Sequence, residues 1–137
     1  MGKRPAVDMT ETIGGRSLAE WESEWETLAG GFAQEHPSLH GVVGLYRADL
    51  NGRAKVIGSG TDIEGAALAK RLQTLRSETI QTGNDYSAAT YIRDNMDRLT
   101  LKVIRVGTGA GLDKITSKLA GRMRRLHGLR RGVIPPD

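Results

Sequence analysis

Leu18, Trp21, Trp25, Leu28 and Phe32 recur at three- to four-residue intervals, with glutamates between them. That spacing predicts a helix over residues 17–33 carrying one apolar stripe, because positions three and four apart share a helix face. Ser17-Leu18-Ala19-Glu20 provides its start as a capping box, in which hydroxyl and carboxylate satisfy reciprocal backbone donors. The pattern then changes. Residues 40–48 are apolar and valine-rich, residues 54–58 form a second short run, and Asn51-Gly52 between them is a strong hairpin signal. Helical spacing returns with Leu68, Leu72, Leu75 and Thr79, behind a second capping-box pattern at Thr61-Asp62-Ile63-Glu64, and predicts a helix reaching Gln81. Gly83-Asn84-Asp85 breaks it. Residues 86–96 read as a shorter helix, and residues 99–106 as a strand apolar on both faces and so covered on both. Leu112, Ile115, Leu119, Met123 and Leu126 define a last helix over 112–127, stopped by Gly128.

This order predicts an α/β fold: a small three-stranded sheet, made of the hairpin plus one strand, packed with three to four helices. Residues 1–16 read as a flexible N-terminal arm, 17–128 as a single domain and 129–137 as a C-terminal tail. No stretch approaches the ~20 apolar residues needed to span a bilayer, so the expectation is a soluble, cytoplasmic protein with no membrane partner. The chain has no cysteine, which removes disulfides, thiolate metal sites and cysteine nucleophiles.

Charge changes the picture more than composition does. Residues 8–35 hold seven acids against one base, Arg16, whereas residues 114–131 hold seven bases and no acid. A solvated helix face normally mixes signs, and Lys114, Lys118, Arg122, Arg124 and Arg125 do not. With Lys70 and Arg76 they are the candidate nucleic-acid contacts, since clustered cations bind phosphate by releasing condensed counterions. DNA is expected ahead of RNA. The alternative is a non-catalytic interaction or assembly module, with a protein partner or self-association through the Trp21/Trp25 helix and an acidic partner on the basic one.

Other constellations carry less. Gly107-Thr108-Gly109-Ala110-Gly111 lies between a strand and a helix but has neither dinucleotide-binding spacing nor a following P-loop lysine, so it reads as a conformational turn and no nucleotide cofactor is expected. His36, His40 and His127 are dispersed, without metal-ligand spacing.

Gly44-Leu45-Tyr46 lies in the first strand of the hairpin, Val56-Ile57-Gly58 ends the second, and Arg71 stands on the helix that follows. The arrangement resembles the GIY-YIG endonuclease superfamily over roughly residues 40–128. The resemblance implies catalytic roles for Tyr46, for Arg71 at the scissile phosphate, and for Asp113 as metal ligand, standing where the family has a glutamate. It implies Mg²⁺ only if the protein is catalytically active, and otherwise no cofactor. The second family tyrosine falls at Val56, the Tyr or His one turn beyond the arginine falls at Leu75, and the late asparagine has no counterpart. Losing one positioned catalytic group commonly costs ~10²–10⁴ in rate. The resemblance therefore implies a nucleic-acid-binding domain whose phosphodiester hydrolysis is weakened or lost. A third reading keeps an active nuclease with Asp113 on the metal.

Overall fold

The computed structural model describes residues 7–77 and 86–136. In chain order its strands are β1 (Thr12–Ile13), β2 (Arg16–Ser17), β3 (Glu26–Thr27), β4 (Val42–Leu50), β5 (Arg53–Gly60) and β6 (Thr100–Thr108). Its α-helices are α1 (Leu18–Glu22), α2 (Leu68–Arg76), α3 (Tyr86–Asp94) and α4 (Asp113–Leu126). β1 and β2 pair as a small hairpin, and the other four form one antiparallel sheet in the order β3-β6-β4-β5. The fold is mixed α/β, with one more strand in the main sheet than the sequence pattern predicts.

Asn51 and Gly52 join β4 to β5 with positive φ angles of 52° and 80°. Two such residues in succession make the turn whose twist matches the flanking strands. Alternation then divides the side chains of β4. Tyr46, Ala48 and Leu50 face α2 and α3 in a core with Phe32, Leu72, Leu75 and Ile92. Leu45 faces the other way, into a second core with Ile13, Leu18, Trp21, Leu119 and Met123. β6 contributes Leu101 and Val103 to the first core and Ile104 to the second, which accounts for its apolar residues on both faces.

The expected helix over 17–33 is not formed. The capping box is made, with Glu20 N–H on Ser17 Oγ at 3.2 Å and Ser17 N–H on Glu20 Oε1 at 2.9 Å, but α1 ends after five residues. Glu26 and Thr27 instead pair with Val103 and Lys102 of β6, and Phe32 reaches the first core from a short 3₁₀ turn. The physical reason lies in the glutamates. A continued helix would set Glu22 and Glu26 one turn apart as like charges. In the observed path Glu22 meets His127 at 2.9 Å, Glu24 meets Arg16 at 3.3 Å and Glu26 meets Arg105 at 3.1 Å.

The arm expected over 1–16 belongs to the fold from Val7 onward. Val7 and Met9 pack on the second core, Ile13 is buried, and the indole N–H of Trp21 donates to the Ile13 carbonyl at 2.8 Å. Nor is the expected tail detached: Leu129 is buried in the second core and Ile134 packs on the first. Thr79 and the break at 83–85 lie outside the described residues, as does the predicted extension of α2 to Gln81.

Candidate nucleic-acid interface

β5 ends the sheet, with β4 on one side and no further strand of the main sheet beyond it among the described residues. Successive residues of an antiparallel strand turn their backbone groups to opposite sides, so the carbonyls of Ile57 and Ser59 point away from β4. Two arginines take them from opposite faces of the sheet. Arg71, on α2, donates from Nε to Ser59 O at 3.1 Å, and Arg124, on α4, donates from Nη1 to Ile57 O at 3.0 Å. The N–H groups of the same two residues turn to that outer side as well.

Gly58 lies between these carbonyls and pairs in register with Tyr46. A Cβ at position 58 would run into the hydroxyl end of the Tyr46 ring, so glycine is what lets the phenol lie across the strand. Tyr46 is otherwise buried, its ring edge-on to Phe32 at 6.5 Å. Tyr46, Arg71 and Arg124 thus line one cleft, together with Lys55, Arg130 and Arg131. Its volume is about 150 Å³, room for several waters or for an anion such as phosphate. Five of the described lining residues are cationic and none is acidic.

Asp113 is placed elsewhere. It begins α4 and opens on a separate concavity with Asp62 and Glu64. Among the described residues no three carboxylates, imidazoles or thiols are grouped so as to hold a metal. The donor set beside Tyr46 therefore does not fit Mg²⁺: what α4 presents to that cleft is Ser117, Ala120 and Arg124. Val56 and Leu75, where the resemblance would want hydroxyl or imidazole groups, are both core residues. Lys70 lines a second cavity with His36 and His40, and Arg76, also there, donates to the Gln34 carbonyl at 3.1 Å.

The basic helix is not uniformly unopposed, as its own sequence suggested. Glu11 reaches it from the N-terminal segment. Arg122 donates to both Glu11 oxygens, Nε at 2.7 Å and Nη2 at 3.2 Å, and Lys118 lies 3.6 Å from the same carboxylate. The Arg122 hydrogen bonds, with the charges of Arg122 and Lys118, hold the Glu11 carboxyl below the usual carboxylate range against the opposing effect of burial. Arg124 turns to β5, while Lys114 and Arg125 are exposed. α4 thus has a flank tied to acids and a flank bordering the cleft.

Lys55, Arg130, Arg131 and Ser117 also line the cleft; Arg130 and Arg131 belong to the basic run over 114–131, but none of the four is among the candidate contacts read from the sequence. The one available signal was the Arg130-Arg131 pair, which reads as tail because it follows the helix stop at Gly128. No protein-family model, curated protein or solved structure matches this chain. Among the described residues no helix is long and apolar enough to cross a membrane.

Proposed function

We propose that this domain binds the phosphate backbone of nucleic acid, DNA ahead of RNA, in the cleft at the edge of β5. The observation that carries the reading is the convergence of Tyr46, Arg71 and Arg124 on one concavity whose described lining holds five cations and no acid. Guanidinium groups present planar forks of donors suited to phosphate, and outward backbone N–H groups add neutral donors beside them. The order of hairpin, α2, α3, β6 and α4 supports a GIY-YIG-like domain. Hydrolysis in it is weakened or lost. A phenol is a poor general base near neutral pH, the neighbouring Val56 has no proton-transfer group, and Asp113 opens on another concavity.

The competing assembly-module reading draws less support. Trp21 is 3% exposed, and Trp25 is partly buried beneath the Arg47 guanidinium, 5.4 Å from the ring centre. The stripe that would dock a partner is largely spent inside the molecule.

A salt titration of binding to one duplex and one single strand, with a parallel nicking assay in Mg²⁺, tests the proposal. Arg71→Gln/Arg124→Gln should weaken binding on every sequence and lower the magnitude of the logarithmic salt slope by about 2 on the duplex. Nicking by the wild type should be slow or absent. Unchanged affinity and slope in a folded double variant would remove the cleft as the binding site.

A further inference from the structure

Between Leu129 and Pro136 the chain crosses the outer edge of β5 as a strap. Its anchors lie on opposite faces of the sheet, Leu129 in the core beneath α4 and Ile134 on the core beneath α2 and α3. The tip between them turns back at Gly132, with φ of 77°, and closes through Val133 N–H on Arg130 O at 3.2 Å. It exposes Arg130, Arg131 and Val133. Neither arginine pairs with a carboxylate among the described residues, yet both line the cleft that holds Tyr46 and Arg71. Just past the strap's second anchor, Lys55 donates from Nζ to the carbonyls of Pro135 and Pro136, at 3.2 Å each, while only 3% exposed. Burying an ammonium is costly unless acceptors meet it, and here the strap brings two.

We propose that the strap is a working wall of the nucleic-acid site. Arg130 and Arg131 contact phosphates lying against Arg71 and Arg124, and Lys55 is the positioning residue that holds the strap across the strand edge. This rests on the phosphate-binding reading of the cleft. The ligand's backbone is then met from three directions, by α2, by α4 and by the strap. Because both anchors already fix the strap, little ordering is left to oppose binding.

The experiment is a salt titration on one duplex for wild type, Arg71→Gln/Arg124→Gln, Arg130→Gln/Arg131→Gln, Lys55→Met, and the last two combined. The exposed arginine pair can be changed without touching the core, and its loss should lower the slope magnitude by about 2. Lys55→Met should lower it by a similar or smaller amount and speed amide exchange at 129–134, with the sheet unchanged. The combined variant should lose no more than the arginine pair alone, because Lys55 acts through the strap. If Arg130→Gln/Arg131→Gln keeps the wild-type slope while Arg71→Gln/Arg124→Gln loses it, the cleft reading stands and the strap is only a cover. A combined loss equal to the sum of the two overturns the positioning role, since Lys55 would then meet phosphate itself. Absence of wild-type binding overturns both proposals.

Discussion

Arg71 and Arg124 grip a single strand from opposite faces of the sheet, on the carbonyls of Ser59 and Ile57 at 3.1 and 3.0 Å. The contact does two things. It covers outward acceptors that would otherwise offer a pairing edge to another chain. It also fixes the plane of each guanidinium beside Tyr46, where a freely rotating arginine would lose side-chain entropy on binding. Protection of the edge and preorganisation of the cleft share the same two side chains.

Gly58 sets the depth of that cleft. Gly58→Ala places a methyl against the end of the Tyr46 ring, and the ring has little room to retreat because it is wedged against Phe32. Overpacking of this kind typically costs ~1–3 kcal/mol. The expected result in urea unfolding is a lower midpoint at unchanged slope. An alanine variant as stable as wild type would show that Tyr46 does not lie over the strand.

The two tryptophans should separate sharply in stability. Trp21→Ala empties a buried site and leaves the Ile13 carbonyl without its indole donor, for a loss of ~3–5 kcal/mol. Trp25, partly exposed and outside any helix, should cost ~1–2 kcal/mol, within the usual range for a point substitution. Denaturant titration of the two variants gives the comparison directly. Equal losses would return Trp25 to a continuous buried stripe and contradict the short α1.

Those tryptophans also mark where the sequence was legible and where it was not. The capping box at Ser17 and the Asn51-Gly52 turn are local devices, and local chemistry decides them, so both are readable directly. Whether the chain beyond Glu22 stays helical depends on partners far along it, Arg105 and His127, which no short window contains. β3 was invisible for that reason: two residues acquire strand geometry only because the edge of β6 needs a partner. The site followed the same division. Tyr46, Gly58 and Arg71 fall within one hairpin and the next helix, and their grouping could be anticipated. Lys55 meets Pro135 and Pro136 across 80 and 81 residues, a relationship that spacing does not encode.

Glu11 makes one such long-range tie sensitive to pH. Its hydrogen bonds from Arg122 hold its pKa below the ordinary value of 4.5. A carboxylate depressed in the folded state contributes stability fully above its unfolded pKa and loses it as pH falls through the folded value. The stability difference between wild type and Glu11→Gln should be complete at neutral pH and shrink on acidification below about 4.5. Thermal melts of both proteins across that range measure it. A difference that grows as pH falls would mean that the Arg122 contact does not depend on the ionised carboxylate.

The same ion pair predicts which cations of α4 serve the ligand. Arg122 is committed to Glu11 by two hydrogen bonds, so a phosphate approaching it must displace a carboxylate already in place. Arg124, two residues on, lines the cleft and sets its guanidinium on the Ile57 carbonyl at the strand edge, beside the proposed path of the phosphates. Counterion release counts the phosphates that a protein neutralises, and a cation already balanced by its own carboxylate adds little to that count. On one duplex, Arg124→Gln should reduce the magnitude of the logarithmic salt slope by about 1, while Arg122→Gln leaves it close to wild type. Arg122→Gln should instead lower stability at neutral pH, through the loss of its tie to the N-terminal segment. Glu11→Gln supplies the complementary measurement: freed from its carboxylate, Arg122 becomes available, and the slope should steepen rather than flatten. Equal slope losses in Arg122→Gln and Arg124→Gln would make the whole helix, rather than its cleft-side flank, the surface that meets nucleic acid.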